Sequence, residues 1–213
     1  MTLNIAKTAI IHPNVTLGEG TIIEDFCIIG VPAPGKKPGD EKTAIGKNAH
    51  IRSHSIIFAG NQIGDNFGTG VMVTVRENNK IGNNVWIGIK SSVQFQVTIE
   101  DDVRIHTQAF IPEHTTLKKG CWIGPKVCIT NAPFPNSPLA KDHFKSVIVE
   151  EGAKLGANTT ILPGVTIGKN ALVGAGAVVT KNVAPDAVVI GNPAREVKKV
   201  NELTYDSGEK AYE

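Results

Sequence analysis

Ile81-Gly82-Asn83-Asn84-Val85-Trp86-Ile87-Gly88-Ile89-Lys90-Ser91-Ser92-Val93-Gln94-Phe95-Gln96-Val97-Thr98-Ile99 puts an aliphatic residue at every sixth position. Worked outward, the same frame runs from Ile45 through Ile51, Ile57, Ile63, Val75, Ile105, Ile111, Leu117 and Ile123 to Ile129, and only Thr69 breaks it. It appears again at Ile11, Leu17, Ile23 and Ile29, and from Val149 through Leu155, Ile161, Ile167 and Val173 to Val179. A period of six is neither the 3.6 of a helix nor the alternation of a simple strand. Self-similarity at a fixed period is the mark of a repeat architecture, in which each unit buries its apolar side only by stacking on its neighbours.

Within the hexad, a second inward slot, usually small, follows four places after each aliphatic, as at Ala49, Ser55, Ala109, Thr115, Cys121 and Ala171. Glycine often comes directly after the aliphatic, as at Gly46, Gly82, Gly88, Gly124 and Gly156. One large and one small inward side chain on a short strand, then a corner, make one flat face of a coil. Asn and Asp crowd the corners (Lys47-Asn48, Asp65-Asn66, Asn83-Asn84, Asp101-Asp102), where left-handed backbone is needed.

This hexad resembles the hexapeptide-repeat family, whose members fold as left-handed parallel β-helices with three hexads per triangular coil. The resemblance covers roughly residues 5 to 190 and implies an all-β, single-stranded, left-handed parallel β-helix of about eight coils. Residues eighteen apart then stack, so Ile51, Thr69, Ile87, Ile105 and Ile123 form one inner column. Two excursions leave the frame, at about 31–42 and 132–146. Both are Pro-rich: Pro32-Ala33-Pro34-Gly35-Lys36-Lys37-Pro38, and Ala132-Pro133-Phe134-Pro135-Asn136-Ser137-Pro138. Loops on a rigid scaffold often carry function. The helix domain is expected over 1–195, with residues 196–213 as a tail forming one short helix.

The net charge of +2 over 213 residues argues against a nucleic-acid surface, and no apolar run approaches a membrane span. The N-terminus shows no signal-peptide pattern, so a cytoplasmic location is expected. Cys27, Cys121 and Cys128 lack metal-site or disulfide spacing, with Cys128 pointing outward. Phe58, Trp86, Phe95, Phe110 and Trp122 fall in outward or corner slots, and Trp86, Arg104 and Trp122 share one outward column. Exposed aromatics in register fit an interface or a ligand wall. The family resemblance implies a homotrimer with sites between adjacent subunits.

Most catalytic members of that family are acyltransferases using acetyl-CoA. Ile167-Gly168-Lys169-Asn170-Ala171-Leu172-Val173-Gly174-Ala175-Gly176-Ala177, continuing through Lys181, resembles their acetyl-CoA-binding end, as does Gly191-Asn192-Pro193-Ala194-Arg195. The resemblance assigns cofactor contacts to Gly174 and Ala175, to Gly156 and Ala157 eighteen residues earlier, and to Lys181, Asn192, Pro193 and Arg195. Small corners let a pantetheine arm lie against backbone, and Lys181 and Arg195 suit phosphates. No metal is expected.

Arg104-Ile105-His106-Thr107-Gln108-Ala109-Phe110, leading into Gly124-Pro125 and Thr130-Asn131-Ala132-Pro133, is similar to N-acetyltransferases acting on the 3-amino group of nucleotide-linked amino sugars. It departs from them at 106, where several carry Gln, and at 107 and 108, where they carry Asn. His106 is the candidate base, since an imidazole accepts a proton near neutrality. In relatives without a base the departing CoA sulfur takes the proton, and His106 then only binds the sugar. Asn131 and Gln108 are candidates to orient the amine or the thioester carbonyl. Glu113 lies eighteen residues before Asn131, and Glu77, beside Arg76, thirty-six before Glu113. Arg76, Glu77, Glu113 and His114 are therefore candidate substrate contacts, with loop His143 an alternative base. Competing readings are acetyl transfer to another small acceptor, a γ-type carbonic anhydrase, and a non-catalytic assembly subunit. For the anhydrase, no two of His12, His50, His54, His106, His114 and His143 lie five residues apart, the ligand spacing that family needs.

Overall fold

The structure, a computed structural model, describes residues 2–212. Short strands, most of two residues, wind into three parallel sheets that form the faces of a left-handed triangular prism. The chain visits face A, then B, then C, and returns to A one rung higher. Face A begins with Asn4–Ile5, face B with Ile10–Ile11 and face C with Val15–Leu17. Register follows the eighteen-residue column, with Trp86 opposite Arg104 and Arg104 opposite Trp122. The second loop is bypassed without loss of register, and Trp122 stacks on Lys154.

The aliphatic frame points inward throughout: Ile51, Ile87, Ile105 and Ile123 are completely buried. Each such side chain contributes about 1.5–3 kcal/mol by leaving water. The lapse at Thr69 is also fully buried, and its Oγ1 accepts the Arg52 N–H at 2.9 Å. The lost volume is made up two residues earlier, where Phe67 fills a slot that is otherwise mostly small. At the C/A corner, Asn66 and Asn84 take φ near +57°. The Asn66 side-chain amide donates to Asn84 at 2.9 Å, and that of Asn84 donates to Asp102 at 3.0 Å. This ladder satisfies corner polar groups rung by rung.

The prism is taller than the expected eight coils, because face A alone carries ten parallel rungs, from Asn4–Ile5 to Ala187–Ile190. The tail also differs from the single short helix expected over 196–213. Arg195–Lys199 pairs antiparallel with Ala187–Ile190, and among the described residues of the tail only Val200–Glu202 forms a helical turn, of the 3-10 type. The top rung of face A presents unpaired backbone groups, and an edge strand that covers them removes that exposure. The tail then returns over face A, placing the Lys154 ammonium 4.6 Å from the centre of the Tyr212 ring.

Candidate active site

The A/B edge of the prism is a column of corner positions occupied by Gly70, Gly88, His106, Gly124, Gly156 and Gly174. At Gly124 an added Cβ would lie 2.5 Å from the Leu155 carbonyl oxygen, and at Gly156 it would lie 2.5 Å from the Ala175 nitrogen. Backbone therefore passes directly over these corners. His106 is the one imidazole among them. Its own corner is pinned from within: Ser91 Oγ donates to the His106 carbonyl at 2.8 Å and accepts the Ala109 N–H at 3.1 Å. The imidazole packs against Trp122, ring centres 4.5 Å apart and planes inclined at 51°. Gln108 sits two residues on, exposed, in left-handed backbone with φ of 60°.

Above His106 the glycine column borders a trough of about 490 Å³ that runs across face A, lined by Trp122, Lys154, Leu172 and Tyr212 and, at the A/B edge, by Gly156, Gly174 and Ala175. Its walls are mostly carbon, and the small residues at its edge leave backbone within reach of a ligand. Lys154 adds a cation: its Nζ donates to the Gly152 carbonyl at 2.8 Å, and burial holds the ammonium below the usual lysine range. Ala157 is the next corner residue after Gly156, and its carbonyl accepts the Gly176 N–H at 2.8 Å. The Asn192-Pro193 turn, joined by a cis peptide bond, and Arg195 cap the same edge, since Ile190 stands 2.6 Å from where a Gly174 Cβ would be. Trp122 is expected from sequence only as an outward aromatic suited to an interface or a ligand wall, and Lys154 and Tyr212 are not among the expected site residues. Subtracting the fourteen extra loop residues would have put Lys154 in the Trp86–Arg104–Trp122 column; nothing in the sequence located Tyr212.

The remaining expected residues lie at the other end of face B, along the B/C edge. Arg76 grips Glu77 with two bonds, Nε to Oε2 and Nη2 to Oε1, each 2.7 Å. The guanidinium lies 5.2 Å from the Phe58 ring centre and 5.9 Å from that of Phe95. Burial pushes the Glu77 carboxyl up, but the Arg76 fork, a backbone hydrogen bond and the Arg76 charge together outweigh it, and the net direction is down. Glu113 and Asn131 stack above, with Asn131 Nδ2 donating to Glu113 Oε2 at 2.8 Å. His114 meets Phe95 edge-on at 5.9 Å. Lys181 also belongs to this edge, because it follows Val178–Val179 of face B. His143 ends the Ala140–His143 turn of the second loop and borders a separate hollow with Phe134, Leu139 and Lys145. The single chain thus holds His106, Gln108, Gly156, Ala157, Gly174 and Ala175 on one edge and Arg76, Glu77, Glu113, His114, Asn131 and Lys181 on another.

A larger hollow, about 730 Å³, lies on face C beside Gln62, Lys80 and Thr98, away from both groups and from any of the expected residues. It is an open groove between long side chains. Among the described residues, no group of three or more His, Cys, Asp or Glu is placed to hold a metal ion. No helix among them is long and apolar enough to cross a membrane.

The family model for bacterial transferase hexapeptide (six repeats) matches residues 146–181. A galactoside O-acetyltransferase of Lactococcus lactis subsp. lactis is 38% identical over 136 residues, which is 61% of each chain. The bifunctional protein GlmU of Carboxydothermus hydrogenoformans is 31% identical over 199 residues, covering 92% of this chain and 40% of that one. The chain thus spans 61% and 40% of the lengths of these two relatives. In fold, a UDP-N-acetylglucosamine acyltransferase from Campylobacter jejuni aligns over 92% of this chain and 75% of that one, with a TM-score of 0.61 and 16% identity. The hexad frame and the three stacked parallel faces give this chain the hexapeptide-repeat β-helix architecture, and residues 146–181 match the bacterial transferase hexapeptide family.

Proposed function

We propose that the chain is an acetyl-CoA-dependent acetyltransferase that N-acetylates a nucleotide-activated amino sugar, working as a homotrimer with its clefts between copies. The observation that carries this reading is the trough that runs across face A to the A/B edge. Gly156, Gly174 and Ala175, expected from sequence to meet acetyl-CoA, line one apolar channel whose Trp122 wall is in ring contact with His106. A pantetheine arm lying along the channel points its thioester toward that imidazole. Arg195 and Lys181 are the cations for the nucleotide phosphates.

The neutral acceptor amine attacks the thioester carbonyl, forming the C–N bond. His106 takes the proton released from the amine, and the tetrahedral intermediate collapses by breaking the C–S bond. The proton then passes to the CoA thiolate, so that amide and free CoA leave. Holding both reactants in one cleft supplies much of the rate. Gln108 and Asn131 are amide groups available to orient the amine or the carbonyl oxygen. On the acceptor side, Arg76 has its fork engaged by Glu77, so this pair suits sugar hydroxyls better than a diphosphate.

A second reading has a specific support: the likeness to a galactoside O-acetyltransferase favours a sugar hydroxyl as acceptor. Release of free thiol from acetyl-CoA, measured with purified protein against nucleotide amino sugars, galactosides and simple amines, separates the two. Stimulation by a nucleotide amino sugar supports the proposal. Stimulation by galactosides or simple amines alone refutes the substrate assignment, and tight indifference to CoA refutes the enzyme.

A further inference from the structure

The two half-sites flank the same face, and that face is the one built to be covered. Every outward strand position on face B is uncharged across its nine rungs, among the described residues, including Ile28, Ile56, Thr74, Ser92, Phe110 and Cys128. Phe110 remains 39% exposed there in the single chain. Faces A and C carry His50, Arg104, Lys154 and Lys80 at the equivalent positions. If three copies turn face B toward a threefold axis, the A/B edge of each meets the B/C edge of the next. Neither other face, turned inward, joins the edge bearing His106 to the edge bearing Glu113 and Asn131.

Cyclic symmetry leaves no translation along the axis, so residues at equal height on the two edges face each other when prism and threefold axes are parallel. Eighteen residues climb one strand spacing of about 4.8 Å. On that scale Glu113 lies about 2 Å above His106, and Phe95 about 3 Å below it. Asn131 lies about 7 Å above and Glu77 about 8 Å below, out of reach of the imidazole. Glu113 is therefore the only carboxylate of that column at the level of His106. Its Oε2 is engaged by Asn131 at 2.8 Å, which fixes the carboxylate and leaves Oε1 directed elsewhere.

Resting on the acetyltransferase reading, we infer that Glu113 of one copy accepts a hydrogen bond from the His106 ring of the adjacent copy and is the positioning residue of the site. Trp122 backs the imidazole from its own subunit while the neighbour's carboxylate fixes its rotation and tautomer. Asn131 then acts through Glu113, and the site is incomplete in a single chain.

Cross-linking tests this without activity. In a Cys128→Ser background, His106→Cys/Glu113→Cys treated with a short bismaleimide gives covalent dimer and trimer on a denaturing gel. Cys27 and Cys121 are buried and do not interfere. His106→Cys/Glu77→Cys, whose second position is about two coils too low, stays largely monomeric. Monomer alone from the first variant, or equal linking from both, overturns the pairing whatever the enzyme acts on. A second measurement uses the acetyl acceptor. His106→Ala and Glu113→Ala are each inactive as homotrimers, yet co-expressed at equal levels they recover about a quarter of wild-type turnover, because a mixed interface rebuilds an intact cleft. An active wild type with no recovery in the mixture refutes the inference while leaving the acetyltransferase standing. Glu113→Gln lowers kcat about tenfold or more with the KM for acetyl-CoA unchanged, and Glu113→Asp recovers part of it.

Discussion

Replacing Arg76 by Met tests the electrostatics of the B/C edge directly. The Glu77 side chain is only 11% exposed and that of Arg76 29%, so this ion pair is neither a surface pair nor a fully buried one. Exposed pairs contribute about 0–1 kcal/mol, and stripping the partner from a buried one costs about 3–5 kcal/mol. The geometry lies between, with both carboxylate oxygens bonded at 2.7 Å, so Arg76→Met should cost about 1–3 kcal/mol at neutral pH. Met keeps most of the contact with Phe58 and Phe95, which isolates the charge. The pH dependence has a definite sign. In the wild type the Glu77 carboxyl is held below its unfolded value, so its stabilisation is present above about pH 4.3 and is lost as pH falls through the folded value. Without Arg76, burial is the largest influence left and is opposed only by a backbone hydrogen bond, so the folded value rises and protonation then favours folding. The penalty of Arg76→Met should therefore shrink as pH falls from 7 toward about 4.3. Urea unfolding at fixed subunit concentration, at pH 7 and pH 4.5, reads both effects; fixed concentration matters because assembly shifts the midpoint. Arg76→Met/Glu77→Met should recover most of the loss. The reasoning fails if the single variant matches wild type at pH 7, or if its penalty grows in acid.

Three other perturbations probe different layers. Ile105→Ala empties a completely buried slot directly beneath the corner that carries His106, and should lower unfolding free energy by about 2–5 kcal/mol; a change under about 1 kcal/mol would mean the coil collapses around the gap. Trp122→Ala removes both the trough wall and the backing of the imidazole, so the KM for acetyl-CoA should rise about tenfold together with a loss of kcat, while Trp122→Phe keeps most of both. An unchanged KM would move the donor site elsewhere. His106→Ala should lower turnover at saturating substrates by about a hundredfold or more, and a loss under about tenfold excludes an essential base and leaves the CoA sulfur to take the proton.

The period of six was sufficient to read the scaffold because it is set by backbone geometry: one strand, one corner, and an inward slot that accepts only a compact apolar group. Even its lapse was informative in structure, since Thr69 is tolerated where Phe67 restores the volume and Arg52 supplies a donor. The column arithmetic likewise put Glu113 beneath Asn131, and their side chains do bond. The tail was less legible, because residues 196–199 have no strong preference of their own and take their conformation from the open rung above Leu172–Val173. Tyr212 was invisible for the same reason: its place over Lys154 depends on how the returning chain settles on face A.

The largest gap between sequence and site is a matter of angle. Spacing in multiples of eighteen fixes which residues stack along one edge, but edges about a third of a coil apart look equally near in a repeat. His106 and Asn131 belong to different corners of one prism, and no packing within the chain brings them together. In the proposed cleft proximity comes from symmetry, and only one of the three faces, when covered by copies of itself, joins the two edges concerned. Among the described residues, that face is also the one without a charge on its outward row. A single-chain active site would have left those two facts unrelated. A cleft assembled between copies makes the uncharged row and the divided residues consequences of the same arrangement.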